Sequence, residues 1–168
     1  MEHLEVQRAP LGLVKFLGWT SGISTLFVAL TVLIVAHDSG DRTEALTTIL
    51  IVVAAQLFVF IPLFRVTRLI VRVNDQGVFV RLRPFQIKGR FIPWTEILHA
   101  VIRPVRPIGE FGGWGIRWDL GKKTGYIWNG EQALELFLTN GKVVVITIMD
   151  VKGARQAVNS YVTPRNTL

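Results

Sequence analysis

The spacing of hydrophobic and polar residues changes character once along the chain. From Phe16 to Ala36, and again from Ala45 to Phe64, the sequence is apolar all round and carries no charged side chain. Each stretch is about the ~20 residues a helix needs to cross ~30 Å of hydrocarbon, where every backbone N–H and C=O must be satisfied within its own segment. These stretches predict a transmembrane α-helical hairpin, because the rest of the chain offers too little apolar surface to wrap two buried helices. From Val66 the period becomes two. Leu69, Val71 and Val73 alternate with Arg68, Ile70 and Arg72, Asn74-Asp75-Gln76-Gly77 supplies turn chemistry, and Val78, Val80 and Leu82 then alternate with Phe79, Arg81 and Arg83. Near the end, Leu134, Leu136 and Leu138 face Val144, Ile146 and Ile148 across Asn140-Gly141, the strongest short-range hairpin signal. Asp150 is placed to cap a final amphipathic helix with Val151, Ala154, Val158, Tyr161 and Val162 along one side, stopped by Pro164.

Between these hairpins the pattern predicts shorter elements. Pro84 ends the second strand, residues 85–92 read as a short edge element, and residues 97–105 form an apolar segment broken by Arg103-Pro104-Val105-Arg106-Pro107. Trp114–Leu120 and Gly125–Trp128 are two short aromatic strands around a glycine- and lysine-bearing turn. The expected organisation is a tail and two membrane helices over 1–65 (spans at about 16–36 and 45–64), a mainly-β domain over 66–163, and a 164–168 tail. The domain would hold about seven antiparallel strands and one C-terminal helix.

The order of these elements, the Pro93-Trp94-x-x-Ile97 entry, the Phe111-Gly112-Gly113-Trp114-Gly115-Ile116-Arg117 segment, the Gly125-Tyr126-Ile127 strand and the Asn140-Gly141 hairpin before a helix together resemble bacterial pleckstrin-homology-like domains on two-helix membrane anchors. The resemblance covers roughly residues 66–163 for the domain and 16–64 for the anchor. It implies a bent sandwich or partly open barrel with one end plugged by the helix. Since the family is largely without assigned activity, it implies a fold and a location more than a function.

Charge sharpens the membrane reading. Residues 1–64 hold three Lys/Arg and five Asp/Glu, net −2, while residues 65–168 hold sixteen and seven, net +9. Arg8 and Lys15 before the first span and Arg65, Arg68 and Arg72 after the second stand against Arg42 alone in the His37–Glu44 connection, which places both termini in the cytoplasm. A signal peptide is the rival for the first span. Its apolar run would be ~7–15 residues ending in a small-residue cleavage site, whereas this run is longer and ends Ile34-Val35-Ala36. Gly18 and Gly22 make a small-xxx-small spacing that allows close helix approach. The expected location is the plasma (inner) membrane, multi-pass.

Catalytic signatures are sparse. There is no cysteine, and His3, His37 and His99 are scattered over tail, loop and strand, which suggests neither a zinc site nor a nucleophile–base pair. Gly121-Lys122-Lys123-Thr124 lacks the first glycine and the Ser/Thr of a phosphate-binding loop. Glu96, Glu131 and Glu135 read as surface strand residues, and Glu110 and Asp119 flank the aromatic segment. The expectation is therefore non-enzymatic, with no cofactor: a membrane protein whose cytoplasmic domain binds anionic lipid headgroups, a protein partner or a second copy of itself. Arg65, Arg68, Arg72, Arg81 and Arg83 are the candidate lipid contacts, since two arginines spaced i, i+2 on a strand point the same way and can hold one phosphate. Trp114, Arg117, Trp118, Lys122 and Lys123 are a second candidate patch, for a partner or ligand, and the alternative function is a small membrane enzyme or transport accessory using a basic aromatic pocket around Trp114 and Arg117. Nucleic acid is the poorest fit for a membrane-tethered chain.

Overall fold

A computed structural model describes residues 2–39, 42–119 and 122–162. Gly40 and Asp41 of the connection between the helices, Leu120 and Gly121 of the lysine turn, and the 164–168 tail with the stop at Pro164 lie outside them. The chain divides into an all-helical unit, Leu11–Val66, and a β unit built from Met1–Pro10 together with the chain from Thr67 onward.

The helical unit is a hairpin of α1 (Leu11–Ser39) and α2 (Arg42–Val66). Both helices run beyond the expected spans, and His37 and Asp38 of the expected polar connection belong to the last turn of α1. Two windows, Leu11–Ile34 and Leu46–Val66, are long and apolar enough to cross a membrane, and none of either window is buried. Gln56 makes a polar contact across the hairpin, its Oε1 accepting from the hydroxyls of Thr25 (2.5 Å) and Ser21 (3.2 Å). The glycine pair is not the close-approach point between the helices, for a Cβ at Gly18 or Gly22 would meet nothing within 4 Å.

The β unit contains nine strands among the described residues, in two sheets. The first is antiparallel, in the order β1 (His3–Arg8), β2 (Arg68–Val73), β3 (Gly77–Arg83), β4 (Arg90–Pro93). The second has the order β5 (Ile97–Pro104), β8 (Gln132–Leu138), β9 (Val143–Ile148), β7 (Lys123–Ile127), β6 (Gly115–Asp119). A 3-10 turn at Trp94–Glu96 links the sheets, α3 (Pro107–Phe111) follows β5, and α4 (Val151–Val162) ends the described chain. In the first sheet burial follows the alternation read from sequence, with Leu69, Val71, Val73, Val78, Val80 and Leu82 in the core; in the second, Leu134, Leu136, Leu138, Val144, Ile146 and Ile148 are buried, and so are Ala133, Glu135, Val145 and Thr147 between them, because both faces of β8 and β9 are covered. Asp150 caps α4 as expected, its Oδ1 accepting from Gly153 N at 3.0 Å, and Ala154 and Val158 are buried.

Two expectations are corrected. Residues 3–8, expected to belong to a short mixed tail outside the β region, instead form β1, an edge strand of the first sheet, paired with β2 from His3↔Val73 to Arg8↔Arg68. And the sheets are not wholly antiparallel, because β7 runs parallel to β9. β8 occupies the far side of β9, so the chain passes the end of β9 between β7 and β8. Gly130, at φ 101°, makes that passage, where a Cβ would lie 2.5 Å from the Ile148 carbonyl oxygen.

Candidate functional site

The outward face of the first sheet brings the predicted arginines together. Strand pairing sets three cross-strand rows: Leu4, Arg72, Phe79 and Phe91; Val6, Ile70 and Arg81; and Arg8, Arg68 and Arg83. Each outward residue alternates with a buried one, so the rows follow from the period of two and the register alone. Two arginines have partners within the chain. Arg72 Nε lies 3.6 Å from a Glu2 carboxylate oxygen, and Arg81 Nε donates to the Gln86 carbonyl at 3.1 Å. Arg8, Arg68 and Arg83 are exposed, and among the described residues none has an acidic group within ion-pair distance. Three guanidinium groups thus stand on directly opposed positions of adjacent strands, an arrangement that costs stability unless an external anion offsets it. Arg65 lies in the last turn of α2, in the helical unit rather than on the sheet. The sequence marks Arg8 only as a span flank, because its place in the row depends on β1.

The second predicted patch is dispersed. Trp114 is half-buried and lines an open cleft with Pro104, Arg106, Pro107, Ile108 and Glu131. Arg117 and Trp118 are successive residues of β6 and point to opposite faces, both exposed, with 76 % of the Trp118 surface free. Lys122 is exposed. Lys123 is committed to a four-membered ion network that the sequence did not reveal.

That network sits on the outer face of the second sheet. Arg103 on β5 donates from Nε to Glu135 on β8 at 2.5 Å and binds the Glu110 carboxylate of α3 through both terminal nitrogens, the longer contact being 3.0 Å. Lys123 Nζ lies 2.8 Å from Glu110 and 3.4 Å from Glu135. The Arg103 hydrogen bond, against the opposing effect of burial and with help from Lys123, pulls the Glu110 carboxyl from an ordinary 4.5 down to about 2. At Glu135 burial pushes the pKa up, but the hydrogen bond and charge of Arg103, aided by Lys123, outweigh it and leave the group lowered. The same bonds, from Glu110 first and Glu135 second, raise Arg103. Glu135 is therefore not the surface strand residue its position suggested, but a largely buried carboxylate. Beside the network, Phe111 packs on Val105, Ile127, Ala133 and Val145, and Gly125 leaves room for it: a Cβ there would lie 2.6 Å from the Phe111 ring. Two cations and two anions balance, so the cluster is built to hold α3 down on the sheet.

A third polar group was hidden by the tail reading. The inward side chains of β1 are His3, Glu5 and Gln7, while Leu4 and Val6 are exposed. Gln7 is 1 % exposed, donates to the Thr147 carbonyl at 2.6 Å and accepts from Asn129 N at 3.0 Å. Glu5 accepts from the backbone N–H groups of Met149 and Asp150 at 2.8 and 3.0 Å. His3 lies 3.5 Å from Glu5 and 3.7 Å from Asp150. The signal is present as strict alternation over residues 3–7, but with the polar side facing inward. Among the described residues no group of three or more His, Cys, Asp or Glu is placed to hold a metal ion. Comparison of the chain with protein-family models, with curated proteins and with solved structures finds no match.

Proposed function

We propose that the protein is a membrane-anchored binding module, without enzymatic activity, whose β unit engages anionic lipid headgroups through the outward face of its first sheet. In this reading α1 and α2 cross the plasma (inner) membrane as a hairpin, with both termini cytoplasmic. Supporting the anchor are the two unburied apolar windows and the excess of Lys and Arg at the terminal side of both helices. The pleckstrin-homology-like resemblance is consistent with such a tethered module and remains part of the proposal.

The observation that carries the reading is the Arg8–Arg68–Arg83 row. Among the described residues its charges have no counterion, whereas Arg103 and Lys123 elsewhere in the same unit have theirs. Arg8 and Arg68 also stand within three residues of where the chain enters α1 and leaves α2. Basic groups that close to an anionic leaflet gain about 1 kcal/mol each, an advantage that fades over a Debye length of roughly 8 Å.

The test is native mass spectrometry of the full chain released from detergent with phosphatidylglycerol or phosphatidylcholine. The expected result is preferential retention of phosphatidylglycerol, lost when Arg8, Arg68 and Arg83 are changed together to glutamine. Equal retention of both lipids by the unaltered chain would reject the reading. Orientation is tested separately, since the chain has no native cysteine. A single Ser39→Cys should react with an impermeant maleimide in intact cells, and labelling of Thr167→Cys instead would invert the topology.

A further inference from the structure

The β3–β4 connection, residues 84–89, exposes two large apolar side chains. Phe85 is 61 % exposed and Ile87 85 %, the highest value for any large apolar residue described, including those of α1 and α2. The exposure is imposed by a hydrogen-bonded residue between them. Gln86 points inward: its Oε1 accepts from Leu82 N at 3.1 Å, its own N–H donates to the Leu82 carbonyl at 2.9 Å, its carbonyl accepts from Arg81 Nε at 3.1 Å, and its amide nitrogen reaches the Tyr126 hydroxyl at 3.5 Å. With Gln86 pinned to β3 and to the second sheet, its two neighbours are turned out to solvent.

The surroundings select the occupant. Residues 76–95 contain Arg81, Arg83, Lys88 and Arg90 and no acidic residue. The loop leaves β3 directly after Arg83, at the end of the sheet marked by the Arg8–Arg68–Arg83 row. The chain passes from the β unit to α1 at Pro10 and returns from α2 at Thr67, so this is also the end of the sheet to which both apolar helices are joined. Apolar tips fringed by cations, at the tethered end, match the two layers of an anionic bilayer surface: phosphates for the guanidinium and ammonium groups, and the acyl boundary below for the rings and aliphatic chains.

We propose that residues 84–89 are an interfacial membrane anchor, with Phe85 and Ile87 immersed at the headgroup–acyl boundary and Arg83, Lys88 and Arg90 on lipid phosphates. This rests on the membrane-anchored reading above and adds to it a hydrophobic contact that headgroup electrostatics alone does not require.

The test uses the full chain reconstituted in vesicles of phosphatidylcholine with phosphatidylglycerol. An environment-sensitive fluorophore is attached at Ile87→Cys and, in separate samples, at Phe85→Cys and at the exposed turn position Asn140→Cys. Melting temperatures establish that each variant is folded. Immersion of ~5–10 Å predicts that spin-labelled acyl chains quench the probe at 87 or 85 at least roughly threefold more than at 140, with iodide showing the reverse order. Equal acyl-chain quenching at all three positions overturns the proposal. So does a probe at 87 that is shielded from iodide in native membranes but unquenched by labelled lipid, which assigns the loop to a protein partner. The two readings fail separately: loss of phosphatidylglycerol preference leaves acyl-chain quenching at 87 untouched if only the headgroup reading is wrong, whereas a wet probe with intact preference removes the loop anchor alone.

Discussion

Each sheet of the β unit carries a cluster of basic residues, and the two clusters are balanced differently. On the second sheet, Arg103 and Lys123 are bound by Glu110 and Glu135, and the network fixes α3. On the first, Arg8, Arg68 and Arg83 line up across three strands with no acid beside them among the described residues, while Glu5 and Gln7 of β1 are turned inward to stitch the sheets together. Charge that is neutralised internally serves the fold, and charge left in a row against its own repulsion is available to something outside. An arginine count cannot distinguish these roles, and the register of the neighbouring strands can.

The sharpest way to break the contrast is to remove the shared acid of the paired network. Glu135→Ala leaves Arg103 and Lys123 with Glu110 alone in a largely buried place, which should cost about 2–3 kcal/mol and lower the Tm in detergent by roughly 10 °C. An unchanged Tm would return Glu135 to the status of a solvated strand residue.

Acid should undo the same network without mutation. Both carboxyl groups are held below their ordinary range in the folded chain, so the stability they contribute is complete above the ordinary 4.5 and is lost as pH falls toward the folded value of about 2 at Glu110. Chemical denaturation between pH 6 and pH 3 should show a decline that is smaller in the Glu135→Ala chain, where only the share of Glu110 remains. Parallel declines in both would place the acid-sensitive groups elsewhere.

A smaller loss tests the inward polar face of the edge strand. Gln7→Ala strands the Thr147 carbonyl and the Asn129 N–H, an expected cost of about 1–3 kcal/mol, whereas Val6→Ala on the exposed side of the same strand should cost under about 0.5 kcal/mol. If the two match, β1 is held by its backbone ladder and not by its side chains.

The least change in stability is expected where the proposed function lies. Arg8, Arg68 and Arg83 changed together to glutamine should alter stability by no more than about 0.5 kcal/mol, and in the stabilising direction, because opposed like charges are relieved. A clear fall in Tm would mean that these arginines serve the fold as Arg103 does, and would erase the contrast between the sheets.

What was legible in the sequence was whatever depends on neighbours a few residues apart. The period of two assigned Leu69, Val71, Val73, Val78, Val80 and Leu82 to the core; Asn140-Gly141 set the Leu136↔Val144 and Leu134↔Ile146 register; Asp150 announced α4; and unbroken apolarity announced α1 and α2. Each is a local rule of turn, cap or pleat that needs no knowledge of distant chain. Only the tertiary structure decided which side of an alternating strand is inside. In residues 3–8 the rule reads backwards, because Glu5 and Gln7 meet backbone groups more than a hundred residues away that need partners. The same holds for the Arg103–Glu135 pairing and for β7 beside β9, whose spacing in sequence carries no signal of contact. Gln86 is the last case: as one polar residue in a basic, apolar loop it was unremarked, yet its bonds to Leu82 and Tyr126 determine that Phe85 and Ile87 face outward. Alternation specifies that two faces differ. Which face is buried depends on which unpaired hydrogen-bonding groups and which apolar surface the folded chain brings against it.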